Sequence, residues 1–490
     1  MSDSLDKDLL SIQEARDLVT AAHAAQQQWA KASQEQVDRV CQAMAEAAYH
    51  ASERLGRMAC EETGFGVPAH KKLKNEFGSR TIWESIKNIK TVGIINHDPL
   101  RRVYEIAWPI GVVAGLIPST NPTSTVMNKI LISVKARDGI VVAPHPAAVH
   151  CCLETARLMA QAAESAGAPH GLIGCLSIIS LPGTQELMRH KFTALILATG
   201  GSDMVKAAHS VGKPAYGVGP GNVPVYVDRS ADLEKAARYI VGSKAFDYST
   251  ICATEQAVVA DKPIAGRLAE LMQAQGAYYV DENQAEALRR SLFFADGSTN
   301  AATVGKSPQY LAAMAGFRAP ESARILVARL SQVGRDEPLS REKLTTVLGW
   351  YETDGWEAGC ARCIELIQFG GSGHSLIIHA TDEKVIMTFG LEKPVFRIGV
   401  NTMGTLGAIG LTTGLMPSLT LGPGGIGGAI TGDNVTVYHL FNVKRLAYEL
   451  TPPPEEALRP GTVPPGSKNG PGPQEIEAIV RQVAAEILKR

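Results

Sequence analysis

The sequence predicts an α/β protein built on a doubly wound parallel sheet, and three observations carry that expectation. From Gly111 onward short apolar runs alternate with segments of helical periodicity, the order that parallel βαβ units impose. The runs are near-continuous, as in Ala194-Leu195-Ile196-Leu197-Ala198, which suits strands covered by helices on both faces. Several of the loops between them are rich in Gly, Pro, Ser and Asn, and ligands in such sheets bind at the carboxyl ends of the strands.

Taken in order, the first ninety residues read as helices. Ser11-x-x-Glu14 has the form of a capping box and is expected to open an amphipathic run through Leu18, Val19, Ala22 and Ala25, a period continued by Val37, Val40, Met44 and Ala47. The expected sequence is then a strand at 111–118, a helix from Pro122, a strand at 139–143, a helix from Ala147, strands at 175–179 and 192–198, and a helix from Ser202. Helical spacing over 231–245 precedes a buried strand at 256–260, so Cys252 falls on a short link of small hydroxyl residues. Scaffolds often present reactive side chains on such links, although the local sequence alone favours a buried, inert thiol.

Composition narrows the function classes. With 490 residues, 45% of them hydrophobic and 20% charged, the chain is long enough for two or three domains. A formal net charge of -1 argues against nucleic acid or an anionic membrane as partner, and no apolar run approaches the roughly 18 residues of a membrane helix. The eight cysteines form no secreted-type framework and the opening MSDSLDKDLL is acidic, so a reducing, cytoplasmic setting is expected. Cys360-x-x-Cys363 lacks a second pair, and no metal site is expected.

Three loops carry candidate binding chemistry. Gly200-Gly201-Ser202 follows a strand and opens a helix, where backbone N–H groups can hold a pyrophosphate, although a plain helix-start turn has the same composition. In Ser119-Thr120-Asn121-Pro122-Thr123, Asn121 reads either as a helix cap or as an oxyanion donor. In Ala143-Pro144-His145-Pro146 a lone histidine sits in a rigid turn, more often a structural residue than a catalytic one.

Together STNPTST (119–125), APHP (143–146), ATGGSDMV (198–205), GVGPGN (217–222), the Cys252 segment, Glu342-Lys343-Leu344, GGSGHS (370–375) and LGPGGIGG (421–428) resemble the aldehyde dehydrogenase superfamily, more closely its CoA-acylating branch, over about residues 10–450. The resemblance implies an aldehyde dehydrogenase-like fold. A Rossmann-type NAD(P)-binding domain is expected at 1–95 and 109–228, a catalytic domain carrying Cys252 at 229–432, and an oligomerisation hairpin at 96–108 and 433–450 that joins a homodimer or homotetramer. It makes Cys252 the nucleophile and Asn121 the oxyanion donor, and it implies cofactor contacts at Ser119, Thr120, Pro144, His145, Thr199, Gly200, Gly201, Ser202, Gly217, Glu342 and Leu344. Gly217 stands where hydrolytic relatives carry a glutamate base, so a Cys252 thioester is expected to await coenzyme A, a better nucleophile than water.

The function so implied is conversion of a short-chain aldehyde, CoA and NAD(P) to acyl-CoA. The alternatives are a hydrolytic dehydrogenase, an acylating enzyme for a substituted aldehyde such as sulfoacetaldehyde, and a shell-associated protein on an inactive dehydrogenase fold. The loop at 143–147 holds no acidic residue, so NAD is expected as main cofactor with measurable use of NADP. Beyond 450, eight of the 27 prolines lie in a linker at 451–473. An amphipathic helix at 474–490 follows, with Ile476, Ile479, Val480, Val483, Ile487 and Leu488 on one stripe. It resembles the peptides that deliver enzymes into bacterial microcompartments, which implies a shell or a partner enzyme as its target; a tail docked on its own enzyme or frayed in solvent is the alternative.

Overall fold

The computed structural model describes residues 6–458 and 472–487. The chain divides into two compact units, residues 1–96 with 105–444 and residues 97–104 with 445–490. Five helices open it: α1 (Lys7–Trp29), α2 (Gln34–His50), α3 (Ser52–Thr63), α4 (Pro68–Glu76) and α5 (Ile82–Ile86). The predicted apolar stripes are buried, with Val19 and Ala22 on α1 and Val37, Val40 and Met44 on α2 fully sequestered.

Ser11 does not cap a helix. The first helix begins at Lys7, where Asp6 accepts from Asp8 N at 2.8 Å. The Ser11 hydroxyl donates to Ile178 O at 2.5 Å, and Glu14 accepts from the N–H groups of Ser177 and Ile178. What has the spacing of a local cap is a clamp on a loop more than 160 residues away.

A hairpin follows, β1 (Gly93–Asp98) and β2 (Val103–Pro109), and these strands form a three-stranded sheet with Phe441–Ala447. The expected alternation then sets in: β3 (Val112–Leu116), α6 (Pro122–Lys135), β4 (Gly139–Ala143), α7 (Val149–Ser165), β5 (Ile173–Cys175), α8 (Leu181–Arg189), β6 (Thr193–Thr199), α9 (Ser202–His209) and β7 (Ala215–Val218). The strand expected at 175–179 is shifted to Ile173–Cys175, because Glu14 takes the backbone donors at 177 and 178 that a longer strand would use in pairing. All five strands are parallel in the order β5-β4-β3-β6-β7. The order reverses between β3 and β6, so the loops leaving their carboxyl ends diverge and open a crevice there.

A second, seven-stranded parallel sheet contains β8 (Val223–Val227), which leads into α10 (Leu233–Ala245), then β9 (Glu255–Asp261), β10 (Ala277–Tyr279), β11 (Ile325–Arg329), β12 (Val347–Thr353), β13 (Leu376–His379) and β14 (Ile398–Val400). Its order is β10-β11-β12-β9-β8-β13-β14. The seam between the sheets therefore lies between Val218 and Val223, ahead of the boundary expected at 228, since buried β8 pairs with β9 and β13. Alternate residues of the central strands feed opposite cores: Val258 and Ala260 of β9 join one cluster, Ala257 and Val259 the other.

No helix among the described residues is long and apolar enough to cross a membrane. In the second unit the terminal helix spans Pro473–Ile487, with Ile476, Ile479 and Val480 exposed. Residues 459–471 of the expected linker, the side chains of Val483 and Ile487, and Leu488 and Lys489 lie outside the described residues; a short helix, Glu455–Leu458, interrupts the described part of the linker.

Candidate active site

Three neighbouring strands of the second sheet, β9, β8 and β13, set their amino ends side by side. The residues just ahead of each strand meet there: Cys252 before β9, Gly221 before β8 and His374 before β13. Cys252 Sγ lies 3.2 Å from His374 Nε2. Gly221 passes so close that a Cβ on it would stand 2.5 Å from Cys252 O and 2.9 Å from His374 Cγ, a place only glycine fits.

Cys252 and the loops from the first sheet's crevice share a cleft of about 390 Å³, while His374 is buried outside its lining. The first sheet contributes Ser119, Thr120 and Asn121 after β3, His145 after β4, and Thr199 at the end of β6 with Gly200 and Gly201 after it. Cys252, Glu342 and Leu344 line it from the other side. Three expected cofactor contacts are absent from the lining. Pro144 is buried behind its loop and the Ser202 side chain is exposed at the start of α9. Gly217 is buried on β7, and a Cβ there would meet His209 Nε2 at 2.5 Å and Val205 Cγ1 at 2.6 Å. Its bareness serves packing against α9, so Gly217 is not a vacated base position facing the thiol.

Burial pushes the Cys252 thiol up to about 12, with the Glu342 carboxylate adding to the rise. Burial and the Arg397 charge pull His374 down to about 3. The resting pair is thus a neutral thiol and a neutral imidazole. The S–H then donates to Nε2, and Nδ1–H points to Ser375 Oγ at 3.0 Å. Arg397 holds this arrangement from behind, donating to His374 O at 2.8 Å and to Ser375 Oγ at 3.3 Å.

Asn121 precedes α6, and its side chain makes no cap bond to that helix, so the cap reading fails. Its Nδ2 donates to Thr250 O at 3.0 Å, two residues before the thiol, and to Thr120 Oγ1 at 3.1 Å. Its Oδ1 accepts from Lys74 Nζ at 2.5 Å. The Thr250 carbonyl can only accept, which settles which end of the carboxamide is nitrogen.

The aldehyde dehydrogenase family pattern matches residues 9–286. The chain belongs to the aldehyde dehydrogenase family. It is similar to a solved acetylating aldehyde dehydrogenase from Geobacillus thermoglucosidasius, 50% identical with a TM-score of 0.90 over 92% of this chain and 99% of that one. A propionaldehyde dehydrogenase from Rhodopseudomonas palustris, solved with bound CoA and an acylated cysteine, is 26% identical with a TM-score of 0.80, over 89% of this chain and 97% of that one. Aldehyde-alcohol dehydrogenase 2 of Entamoeba histolytica is 40% identical over 441 residues, covering 88% of this chain and 51% of that protein. The chain spans about half the length of the curated aldehyde-alcohol dehydrogenases it matches.

The residues lining the cleft fit a nicotinamide dinucleotide. No side chain caps the first turn of α9, and Cβ atoms built on Gly201 and Gly219 would meet nothing within 4 Å, so backbone donors open onto the cleft where a pyrophosphate can approach. Glu342 is raised to about 7 by burial, against the pull of the Gly221 N–H that it accepts at 2.9 Å, and its carboxylate is the only one among the described lining residues. His374 was not among the expected site residues, although it sits inside the GGSGHS motif, because the thiol it touches is 122 residues away. Lys71 and Lys74 were not among them either, since the groups they bind lie far along the chain from their charged helical segment.

Proposed function

We propose that the protein oxidises short, uncharged aldehydes with NAD as main cofactor and NADP as a weaker one, and passes the acyl group to coenzyme A. The observation that carries this reading is the Cys252 thiol at 3.2 Å from a neutral His374 Nε2, in one cleft with the Asn121 carboxamide. As the sulfur attacks the aldehyde carbon, its proton passes to His374 Nε2 and the carbonyl electron pair moves onto oxygen. That oxygen is held by Asn121 Nδ2–H, exchanged from its resting partner Thr250 O. Gly200, Gly201 and Glu342 would hold NAD, which when bound accepts the two electrons and the hydrogen that the aldehyde carbon gives up. His374 first gives up to solvent the proton it took from Cys252; the thioester is then opened by the CoA thiol, whose proton goes to His374 Nε2 and from there to the departing Cys252 sulfur.

Coenzyme A is favoured over water as acceptor by the acetylating Geobacillus relative and by the cleft itself. A hydrolytic route needs a carboxylate free to draw a proton from water, and Glu342 is tied to Gly221. The described lining residues include no Lys or Arg, which supports acetaldehyde or propionaldehyde over sulfoacetaldehyde, whose sulfonate would be buried without a cation. The intact Cys252, His374 and Asn121 set weighs against an inactive fold. We further propose a homodimer or homotetramer joined through the hairpin, and delivery to a microcompartment shell or partner enzyme by residues 474–490.

The test follows NADH and NADPH with a panel of aldehydes, with and without CoA, and weighs the intact protein after CoA-free incubation. Steady turnover is expected only with CoA; without it, a burst of about one equivalent should leave an acyl mass on Cys252. Cys252→Ala should show neither while still binding NAD. Sustained acid production without CoA, or turnover by Cys252→Ala, would overturn the reading.

A further inference from the structure

Behind Asn121 lies a cluster that the chemistry above does not use. Lys71 and Lys74 stand one helical turn apart on α4 and are 1% and 2% exposed, and both donate to the fully buried carboxylate of Asp247. Lys71 also donates to Thr120 O at 2.9 Å. Lys74 reaches Asn121 Oδ1 at 2.5 Å and Thr250 Oγ1 at 3.0 Å. Burial pulls Lys74 down to about 7 against the pull of Asp247, yet three acceptors around one nitrogen can all be served only by the ammonium form.

The same carboxylate holds the backbone that leads to the nucleophile. Asp247, Tyr248 and Ser249 take φ of 49°, 50° and 68°, three successive non-glycine residues in the left-handed region that lead directly into Thr250-Ile251-Cys252. Such strain persists where the surroundings over-determine it and is concentrated at functional sites. Here Asp247 accepts from Val67 N at 2.8 Å, its own N–H donates to His70 Nδ1 at 2.9 Å, and Gly66 leaves the room: a Cβ there would lie 2.1 Å from Asp247 Oδ1. Stability alone is a weak reason for the cluster, since buried ion pairs gain little over well-packed apolar residues. Two cations share one carboxylate, so a net positive charge stays beside the amide that meets the developing oxyanion.

We infer that Lys71, Asp247 and Lys74 are positioning residues for the oxyanion donor: Lys74 locks the Asn121 carboxamide with Nδ2 toward the thiol loop, and Lys71 pins the Thr120 carbonyl just before it. The inference rests on the proposed thioester reaction.

A double-mutant cycle on the full-length protein tests it, with the rate of CoA-free single turnover as readout and NAD affinity, from quenching of tryptophan fluorescence, as control. Lys74→Met should slow single turnover about 10²-fold in the native background and less than about threefold in the Asn121→Ala background, with NAD affinity unchanged in both. Lys74→Gln, which keeps a donor for Oδ1 without the charge, should show a smaller loss that also vanishes with Asn121→Ala. Equal losses in the two backgrounds, no loss in either, or failure of both Lys74 variants to fold would overturn the inference and leave the cluster a folding element. Absence of any NADH burst from the native protein would overturn the thioester reading first, and this inference with it.

Discussion

His374 shows at the residue scale how burial shapes this site. Its folded value of about 3 lies below the ordinary histidine value of 6.5, so between these limits the unfolded chain binds a proton that the folded protein does not. Unfolding then takes up a proton, and stability rises with pH across that window and is lost as pH falls from about 6.5 toward 3. His379, lowered to about 4 by burial, acts in the same direction. His374→Gln should remove one of these contributions, lowering the slope of unfolding free energy at pH 5 by about 1.4 kcal/mol per pH unit, as measured from urea transitions at several pH values. The same variant should slow turnover by roughly 10²- to 10⁴-fold, because the thiol loses its acceptor. An unchanged slope would mean that His374 is not held neutral. Cys252 and Asn121 stood out on short links of small polar residues, and Glu342 came only through the family resemblance. His374 and the α4 lysines could not be found in this way, since their roles arise from contacts 122 and 47 residues along the chain, which no local period encodes.

At the scale of elements, the expected alternation in the first sheet follows from apolar runs and turn residues and agrees with β3, β4 and β6, whereas α8 and β7 were not anticipated and β5 is shifted. That strand and the start of α1 were misplaced for one shared reason, the Ser11 and Glu14 clamp on residues 177–178, where tertiary bonds took groups that local rules assign to a cap and a longer strand. Glu14→Ala should therefore cost roughly 1–3 kcal/mol, the range for leaving backbone donors without partners, toward the low end because Ser177 can reach water. Urea unfolding would measure that loss, and hydrogen exchange should quicken at the amides of 177 and 178 while those of β4 keep their protection. A loss confined to the helix start, with no change at 177–178, would return Glu14 to the role of a local cap.

At the scale of the whole molecule, the cleft draws its walls from residues between Phe65 and Leu421, so the terminal helix contributes no described side chain to it. Truncation at Thr451 should leave turnover with CoA within about twofold, and a larger loss would point to a tail that docks on its own enzyme. The helix Pro473–Ile487 keeps an i,i+4 pair, Arg481 to Glu477 at 2.8 Å, but a segment of this length is marginal alone in water and gains order by covering its apolar face. Ile476 and Ile479 are 52% and 53% exposed and three residues apart, hence on one face, and are the anchors that the proposed docking on a shell protein or partner enzyme would use. Charged residues at both positions should forfeit roughly 1.5–3 kcal/mol of apolar burial for each anchor that is fully covered in the complex. Fused to a fluorescent reporter in cells that assemble shells, residues 451–490 should form puncta that coincide with the shells, and the doubly charged variant should be diffuse. Diffuse signal from both fusions would end the targeting proposal, and puncta from both would show that the apolar stripe is not what the shell recognises.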